Sequence, residues 1–237
     1  MAKLKIGICG GGVGGLAAAI GLRMMGHDPV VFEQASQFLR IGADVNLTPN
    51  AVHALDRLGV GEVLRRTAAR PTYRISRVWD TGEETSRLPM SDAAEVSYGA
   101  PQLTIHRADL LKALEAEIPD DCIRLAKMVS GIVDEGNRTA VRFNDDTSED
   151  VDVIVGADGI HSAVRTAMFG ADNPRFTGLV SYRSVYPRER AGDIPNLDAF
   201  TKWWGPRPDM QIICFPLTLG EEIFVFATTP QGGWIEE

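Results

Sequence analysis

The chain has 237 residues, of which 44% are hydrophobic and 24% charged, and this composition excludes a disordered chain. It carries 24 Lys and Arg against 32 Asp and Glu, for a formal net charge of −8. With this balance and no basic run, the sequence argues against nucleic-acid binding. The length corresponds to one large domain or two small ones.

The cysteines and the apolar stretches indicate the cellular setting. Cys9, Cys122 and Cys214 are odd in number and widely spaced, so we interpret them as reduced thiols of a cytoplasmic protein. No stretch reaches the length of about 18 apolar residues that a membrane span needs, and we expect no membrane partner. The four histidines lack metal-ligand spacing, and we expect no metal.

The chain opens with a strand, a glycine-rich turn, a helix and a second strand. Residues 4–9 form a short apolar run that is typical of a buried parallel strand. The turn at 10–15 reads Gly-Gly-Gly-Val-Gly-Gly, and apolar residues then recur at helical spacing as far as Met24. Residues 29–32 predict the second strand, which leads directly to Glu33.

This order of elements is typical of a dinucleotide-binding unit. Gly10 permits the tight turn, Gly12 lets the backbone approach a pyrophosphate, and Gly15 lets the helix pack on the sheet. The helix N-terminus offers N–H groups to the phosphates. Glu33 follows Gly15 by about 18 residues and is spaced to bind a ribose hydroxyl, which favours FAD or NAD over NADP. The alternative interpretation is a structural glycine turn.

The later part of the chain changes from α/β to mostly β. Thr48-Pro49 predicts the start of a helix that Gly59 ends, and a second helix is predicted at 107–118. Alternation on both sides of the turn at 80–82 predicts a hairpin at 74–88 that belongs to a different sheet. The remaining predicted elements are strands, at 125–133, 140–143, 151–155, 180–185, 199–204, 211–215 and 223–227.

These elements predict two domains that are interleaved in sequence. The first, an α/β dinucleotide-binding domain, takes residues 1–73 and 101–178. The second, a β-sheet domain, takes residues 74–100 and 179–237.

Four motifs in this order resemble one family. They are the glycine turn with Glu33, the segment 41–43 leading to 47–51, the pair His106-Arg107, and the run 158–165. Together they are similar to the FAD-dependent aromatic-ring hydroxylases, the salicylate-hydroxylase-like group of single-component flavin monooxygenases. Four further stretches resemble the members that hydroxylate a hydroxypyridine acid, at 86–89, 98–100, 105–107 and 202–204. The fold class implied is α/β, with a Rossmann-like FAD-binding domain and a mostly β substrate-binding domain.

The resemblance implies which residues contact FAD. Glu33 and Gln34 would hold the adenosine ribose, Val129 would contact the adenine, and Arg107 would reach the flavin or its phosphates. The pyrophosphate would lie against four glycines, Gly10, Gly12, Gly14 and Gly15.

A second fingerprint, Asp158-Gly159, would lie near both FAD and the nicotinamide cofactor. Arg165 would brace this motif, and Ser162 would cap the following helix. Asp158 as a plain helix cap is an alternative, as is Arg107 as a surface charge. Arg40 is either a phosphate contact or solvated.

The activity implied is hydroxylation of a small aromatic or heteroaromatic acid or phenol. NADH, or NADPH, would reduce the flavin, O2 would form a flavin hydroperoxide, and its terminal oxygen would be transferred to the ring. A protein group would help the ring hydroxyl to lose its proton.

The substrate pocket departs from the most similar members. Asn46 stands at the position of their histidine base and cannot act as a base. Phe200, Asp209 and Ile213 stand where those members have a cysteine, a histidine and a tyrosine. Trp203-Trp204 either shapes the pocket or belongs to the core.

The sequence leaves alternatives for the extent of the chain, its function and its oligomeric state. The family carries a later flavin-binding motif, a Gly-Asp pair, that nothing in this chain matches. Residues 232–237 also end in the middle of a pattern, so we expect the chain to be truncated at its C-terminus. A different flavoprotein oxidoreductase and a non-catalytic FAD- or NAD-binding module are the alternatives. We expect a monomer or a homodimer.

Overall fold

The computed structural model describes residues 2–39 and 44–233. The strands are β1 Lys5–Cys9, β2 Asp28–Phe32, β3 Asp44–Leu47, β4 Tyr73–Val78, β5 Glu84–Pro89, β6 Leu103–His106, β7 Ile123–Arg124, β8 Val129–Asp134, β9 Thr139–Phe143, β10 Ser148–Val151, β11 Val153–Gly156, β12 Leu179–Pro187, β13 Phe200–Trp204, β14 Gln211–Leu217 and β15 Glu222–Pro230. The helices are α1 Val13–Met24, α2 Pro49–Arg57, α3 Gly61–Thr67, α4 Ser91–Tyr98, α5 Arg107–Glu115 and α6 Ala163–Phe169. Three short 3₁₀ turns lie at Asp120–Cys122, Arg188–Ala191 and Thr218–Gly220.

The described residues divide into two compact units. The first takes them from 1–39 and 110–174, and the second from 40–109 and 175–237. Both units are discontinuous in sequence, and 44–73, 101–109 and 175–178, which the prediction gives to the dinucleotide-binding domain, fall in the second unit. There β3 pairs with β6, and the hydroxyl of Thr104 in β6 donates to the backbone oxygen of Pro216 in β14.

The first unit is built on a four-stranded parallel sheet with the order β11-β1-β2-β7. Four of the five residues of β1 are buried, as expected of a strand inside a parallel sheet. A three-stranded antiparallel sheet, β10-β9-β8, completes the unit. Phe32 of β2 packs on Phe143 of β9 with ring centroids 4.9 Å apart, which joins the cores of the two sheets.

The strand predicted at 151–155 is two strands instead. Asp152 separates β10 from β11, and its Oδ2 accepts a hydrogen bond of 2.8 Å from the N–H of Lys5. Its own N–H donates to the backbone oxygen of Lys5 at 2.9 Å. These bonds hold the point where the chain leaves the antiparallel sheet and joins β1 as a parallel strand.

The second unit contains a six-stranded sheet with the order β12-β15-β14-β13-β4-β5. The pairing of β13 with β4 is parallel, and every other pairing in this sheet is antiparallel. The predicted hairpin at 74–88 is confirmed as β4 and β5, in a different sheet from β1. Phe215, Leu217 and Phe224 form the buried cluster at the middle of this sheet.

Four short elements escaped prediction, namely β3, β7, α3 and α4. The helix predicted at 107–118 also ends one turn earlier, at Glu115, and the strand predicted from 125 begins only at Val129.

Candidate functional site

The glycine-rich turn between β1 and α1 has the backbone geometry that its sequence predicts. Gly10 has φ +101°, which disfavours any side chain. A Cβ on Gly15 would lie 1.9 Å from the carbonyl oxygen of Gly10, so the first turn of α1 packs directly on the loop. Gly12 is the N-cap of α1, and no side chain of the described residues caps this helix end. Its N–H groups are therefore available to an anion.

Glu33 holds the loop from the other side. Its Oε2 accepts a hydrogen bond of 2.7 Å from the N–H of Gly11, and its Oε1 accepts one of 2.8 Å from the N–H of Ala35. The acid at the tip of β2 thus ties the glycine turn to the start of the next loop.

A cavity of about 500 Å³ opens beside this turn within the first unit. Seven of the residues predicted to contact the cofactor line it, and they are Gly10, Gly12, Glu33, Gln34, Val129, Asp158 and Gly159. Gly14 and Gly15 lie on α1 and are not part of this lining. Arg107 begins α5 in the second unit, and its contact with a flavin or its phosphates stays a prediction.

The side chain of Asp158 caps α6. Its Oδ2 accepts hydrogen bonds from the N–H of Ala163 at 2.7 Å and of Val164 at 3.2 Å, and its Oδ1 accepts from the hydroxyl of Ser162 at 2.5 Å. The alternative interpretation of Asp158 as a helix cap is thereby confirmed, although the residue also lines the cavity.

Two neighbours of Asp158 take the places that were predicted. Ser162 accepts a hydrogen bond from the N–H of Arg165 and is the N-cap of α6, as predicted. The guanidinium of Arg165 donates to the backbone oxygen of Ile160 at 2.6 Å, which braces the loop as predicted.

Sequence reasoning missed part of the lining. Lys127 lies in it, and its ammonium group donates to Asp145 at 2.5 Å and to the hydroxyl of Thr147 at 2.8 Å. Asp145 lies in the turn after β9, and nothing in the sequence pairs that turn with Lys127. Cys9 is also in the lining, where burial first and the charge of Asp158 second raise its pKa to about 12. A thiol in this environment stays protonated.

In the second unit, two of the predicted substrate-pocket residues lie together. Phe200 stacks on Phe215 with centroids 4.7 Å apart, and Ile213 packs against the same cluster. Asp209 lies in the loop between β13 and β14, where its carboxylate binds the guanidinium of Arg207 at 2.6 Å. Asn46 lies on β3, opposite Thr104.

The two adjacent tryptophans have different surroundings. Trp203 lines an apolar cavity of about 530 Å³ together with Trp79. Trp204 is 41% exposed, and the ammonium group of Lys202 lies 3.4 Å from the centroid of its ring. Neither residue belongs to the fully buried core.

Some predictions lie outside the described residues, namely those on Arg40, on 41–43 and on 234–237. Within 2–39 and 44–233, no three His, Cys, Asp or Glu side chains form a cluster that could hold a metal ion. Every helix of the described ranges is too short or too polar to span a membrane.

The fold and the glycine turn define a dinucleotide-binding protein of the βαβ class. The FAD binding domain family matches residues 3–191, and the chain belongs to this family.

Curated relatives extend the match beyond that range. The 6-hydroxynicotinate 3-monooxygenase of Pseudomonas fluorescens is 34% identical over 232 residues, which cover 97% of this chain and 60% of the relative. The 3-hydroxybenzoate 6-hydroxylase 1 of Aquipseudomonas alcaligenes is 34% identical over 229 residues, covering 95% of this chain and 57% of the relative. The predicted resemblance to aromatic hydroxylases is confirmed, and the chain spans about 60% of the length of these relatives.

Solved structures share the fold. HpxO of Klebsiella pneumoniae, complexed with FAD and uric acid, superimposes with a TM-score of 0.87 at 23% identity over 99% of this chain and 58% of that chain. The 2,6-dihydroxypyridine-3-hydroxylase of Arthrobacter nicotinovorans gives a TM-score of 0.82 at 25% identity, over 98% of this chain and 58% of that chain. The predicted α/β fold class is confirmed.

Proposed function

We propose that the whole protein is an FAD-dependent monooxygenase that uses NADH or NADPH and O2 to hydroxylate a small aromatic or heteroaromatic substrate. A phenolic or pyridine acid is the substrate class that we favour. The membership in the FAD binding domain family supports the cofactor, and the names of the relatives support the reaction. Substrate, NAD(P)H, O2 and one proton would give hydroxylated substrate, NAD(P)⁺ and water.

The single observation that carries the cofactor assignment is the uncapped start of α1 at the edge of the cavity. A Cβ on Gly12 would meet no atom of the described residues within 4 Å, which leaves room for a pyrophosphate at the helix N-terminus. Gly10 and Gly14 complete that site in our proposal.

The adenosine end of FAD would lie toward β2 and β8. Glu33 and Gln34 would bind the ribose, and the backbone of Val129 would contact the adenine. Each carboxylate oxygen of Glu33 accepts one backbone hydrogen bond and has a second lone pair for a hydroxyl group.

The chemistry that FAD supplies when bound is the transfer of two electrons from NAD(P)H to O2 and the delivery of one oxygen atom. The residues of this chain would bind and orient the substrate and exclude water. Phe200 and Ile213 would contact the ring, and Asp158-Gly159 and Arg107 would lie near the cofactors. We also propose that the protein works in the cytoplasm, as a monomer or a homodimer.

The cofactor assignment is tested by the visible spectrum of the purified chain after addition of FAD and desalting. Gly12→Asp places a carboxylate at the N-cap, where it stabilises the helix but repels a pyrophosphate. We expect an unchanged or higher melting temperature and at least a tenfold loss of FAD affinity. Asn50→Asp adds the same charge to the first turn of α2 and should leave FAD affinity unchanged. Equal affinities in both variants would reject the site.

The reaction is tested on the whole protein with NAD(P)H, ¹⁸O2 and a panel of phenolic and pyridine acids. A monooxygenase consumes NAD(P)H faster with its substrate and places one ¹⁸O atom in the product. A flavoprotein oxidase gives hydrogen peroxide without a labelled product. A binding module shows no substrate-stimulated consumption of NAD(P)H, and that result would contradict the proposed function.

A further inference from the structure

The base position of the family is occupied by Asn46, whose amide cannot take a proton at neutral pH. A carboxylate lies two residues earlier, at Asp44. Both residues belong to β3, and side chains two apart on a strand project from the same face. The strand therefore presents an acid next to the position where the family has its base.

The two side chains are in contact. Asn46 donates a hydrogen bond from Nδ2 to Oδ2 of Asp44 at 3.4 Å. Asp44 is half-buried, and its backbone pairs with His106 of β6. Asn46 thus binds one oxygen of the carboxylate, which also accepts a hydrogen bond from its own backbone N–H.

Among the described residues, Arg183 from β12 and the protonated form of His106 from β6 act on the charge of Asp44. Burial raises the pKa of Asp44 above its ordinary value, while the charge of Arg183, the hydrogen bond from its own backbone N–H and the charge of His106, in that order, oppose that shift. The carboxylate is thus a stronger proton acceptor than a fully solvated one would be.

Arg183 also connects Asp44 to the predicted substrate pocket. Its guanidinium lies 5.7 Å from the centroid of the Phe226 ring. Phe226 packs in the same cluster as Phe200 and Ile213. The carboxylate, a cation and an aromatic surface therefore belong to one region of the second unit.

His106 is the other candidate base in this region, and its hydrogen bonding excludes it. Its Nδ1 accepts a hydrogen bond of 3.2 Å from the N–H of Ala108, so the neutral ring carries its proton on Nε2. A charged ring carries protons on both nitrogens. In neither form does a ring nitrogen remain to take a proton from a substrate.

We propose that Asp44 is the proton acceptor for the ring hydroxyl of the substrate, with Asn46 as the residue that positions its carboxylate. This inference rests on the proposed function. The O–H bond of the substrate breaks, the proton moves to a carboxylate oxygen of Asp44, and the electron pair stays on the ring oxygen. The ring carbon that then accepts an oxygen atom becomes more electron-rich. When the product ring forms, the hydrogen on the hydroxylated carbon leaves as a proton to water, and Asp44 returns its own proton to the ring oxygen, so its charge is unchanged over one cycle.

The test compares Asp44→Asn with the wild-type whole protein, using the member of the phenolic and pyridine acid panel that most stimulates NAD(P)H oxidation. Two quantities are measured from about pH 6 to about pH 10, the ionised fraction of the bound acid from its ultraviolet spectrum and the hydroxylated product formed per NAD(P)H. We expect ionisation to move to higher pH in the variant. At neutral pH, product should fall about 100-fold and hydrogen peroxide should replace it.

Two further variants separate proton transfer from folding. Asp92→Asn removes a carboxylate that is 89% exposed, and it should match the wild-type protein in both quantities. Asn46→His on the Asp44→Asn background restores a base at the family position, and ionisation should return with a midpoint at about pH 6.5. Loss of product in Asp44→Asn without this recovery, at normal FAD content and melting temperature, would overturn the proposal.

The failures of the two proposals can be told apart. If no acid of the panel stimulates NAD(P)H oxidation in the wild-type protein, the proposed function is wrong. The proposed role of Asp44, which depends on that function, is then wrong as well. If stimulation is normal and Asp44→Asn ionises and hydroxylates the acid like the wild-type protein, only the role of Asp44 is wrong.

Discussion

The carboxylate of Glu33 and the backbone N–H of Gly11 are joined by a hydrogen bond of 2.7 Å. The acid that the sequence assigns to a ribose therefore already holds the glycine turn in place. Binding of a dinucleotide would meet a loop that is ordered beforehand, which lowers the entropy cost of association.

Replacing Glu33 by Gln should destabilise the first unit. A Gln side chain has one oxygen, so it accepts from Gly11 or from Ala35 and turns its NH2 group toward the other N–H. We expect a loss of about 1–3 kcal/mol in the free energy of unfolding, measured by urea denaturation. Glu62→Gln, which removes an exposed pair with Arg66, should cost less than about 0.5 kcal/mol. Equal losses of stability in Glu33→Gln and Glu62→Gln would show that Glu33 does not hold the glycine turn in place.

Two neighbouring glycines of α1 should respond in opposite directions to alanine. In Gly15→Ala the new Cβ would lie 1.9 Å from the Gly10 oxygen, and we expect a loss of about 3 kcal/mol or more. In Gly14→Ala the Cβ would meet no described atom within 4 Å, and helix propensity should raise stability by about 0.5–1 kcal/mol. Thermal denaturation of both variants tests this prediction. A shift of the melting temperature in the same direction in Gly15→Ala and Gly14→Ala would refute it.

Asp158→Ala should weaken α6 even without a cofactor. The variant leaves the N–H groups of Ala163 and Val164 without their carboxylate partner, and loss of such a cap costs about 0.5–2 kcal/mol. Amide hydrogen exchange should show faster exchange in α6, while β2 keeps its protection. Asp92→Ala, at a side chain that is 89% exposed and lies outside α6, serves as the control. Unchanged exchange in α6 would show that the cap does not stabilise this helix.

The ion pair between Lys127 and Asp145 should make stability depend on acid pH. The hydrogen bond from Lys127, and after it that from Thr147, lowers the pKa of Asp145 from 3.8 to about 2. Because the folded value lies below the unfolded one, the contribution is complete above about pH 4 and is lost as the pH falls toward about 2. The difference in urea midpoint between the wild-type chain and Asp145→Asn should therefore shrink over that range. A difference that does not change with pH would argue against the pair.

The sequence predicts best where local chemistry and fold agree. The strand, glycine turn, helix and strand that end at Glu33 were predicted because Gly10 and Gly15 mark positions that only glycine fills, while the apolar period marks the helix. The hairpin β4–β5 was found for the same reason, since Gly82 with φ +70° marks its turn.

What escaped prediction depends on contacts between distant parts of the chain. The break at Asp152 exists because its side chain binds the N–H of Lys5, which no local pattern reveals. The unit boundary after residue 39 follows from the pairing of β3 with β6, whose four-residue strands are too short for a clear period. Asp44 was passed over because its neighbours, His106 and Arg183, are remote in sequence.

The parallel pairing of β13 with β4 has a consequence for synthesis on the ribosome. Trp204, which pairs with Val78, emerges roughly 126 residues later, about 6 to 25 s at ordinary elongation rates. During that interval one edge of the β4–β5 hairpin has no partner strand, and an isolated hairpin is marginally stable in water. The strands of the parallel sheet in the first unit have all been made once residue 156 has emerged. Nascent chains halted between 156 and 200 should therefore be the ones that bind chaperones most strongly, through the open edge of β4.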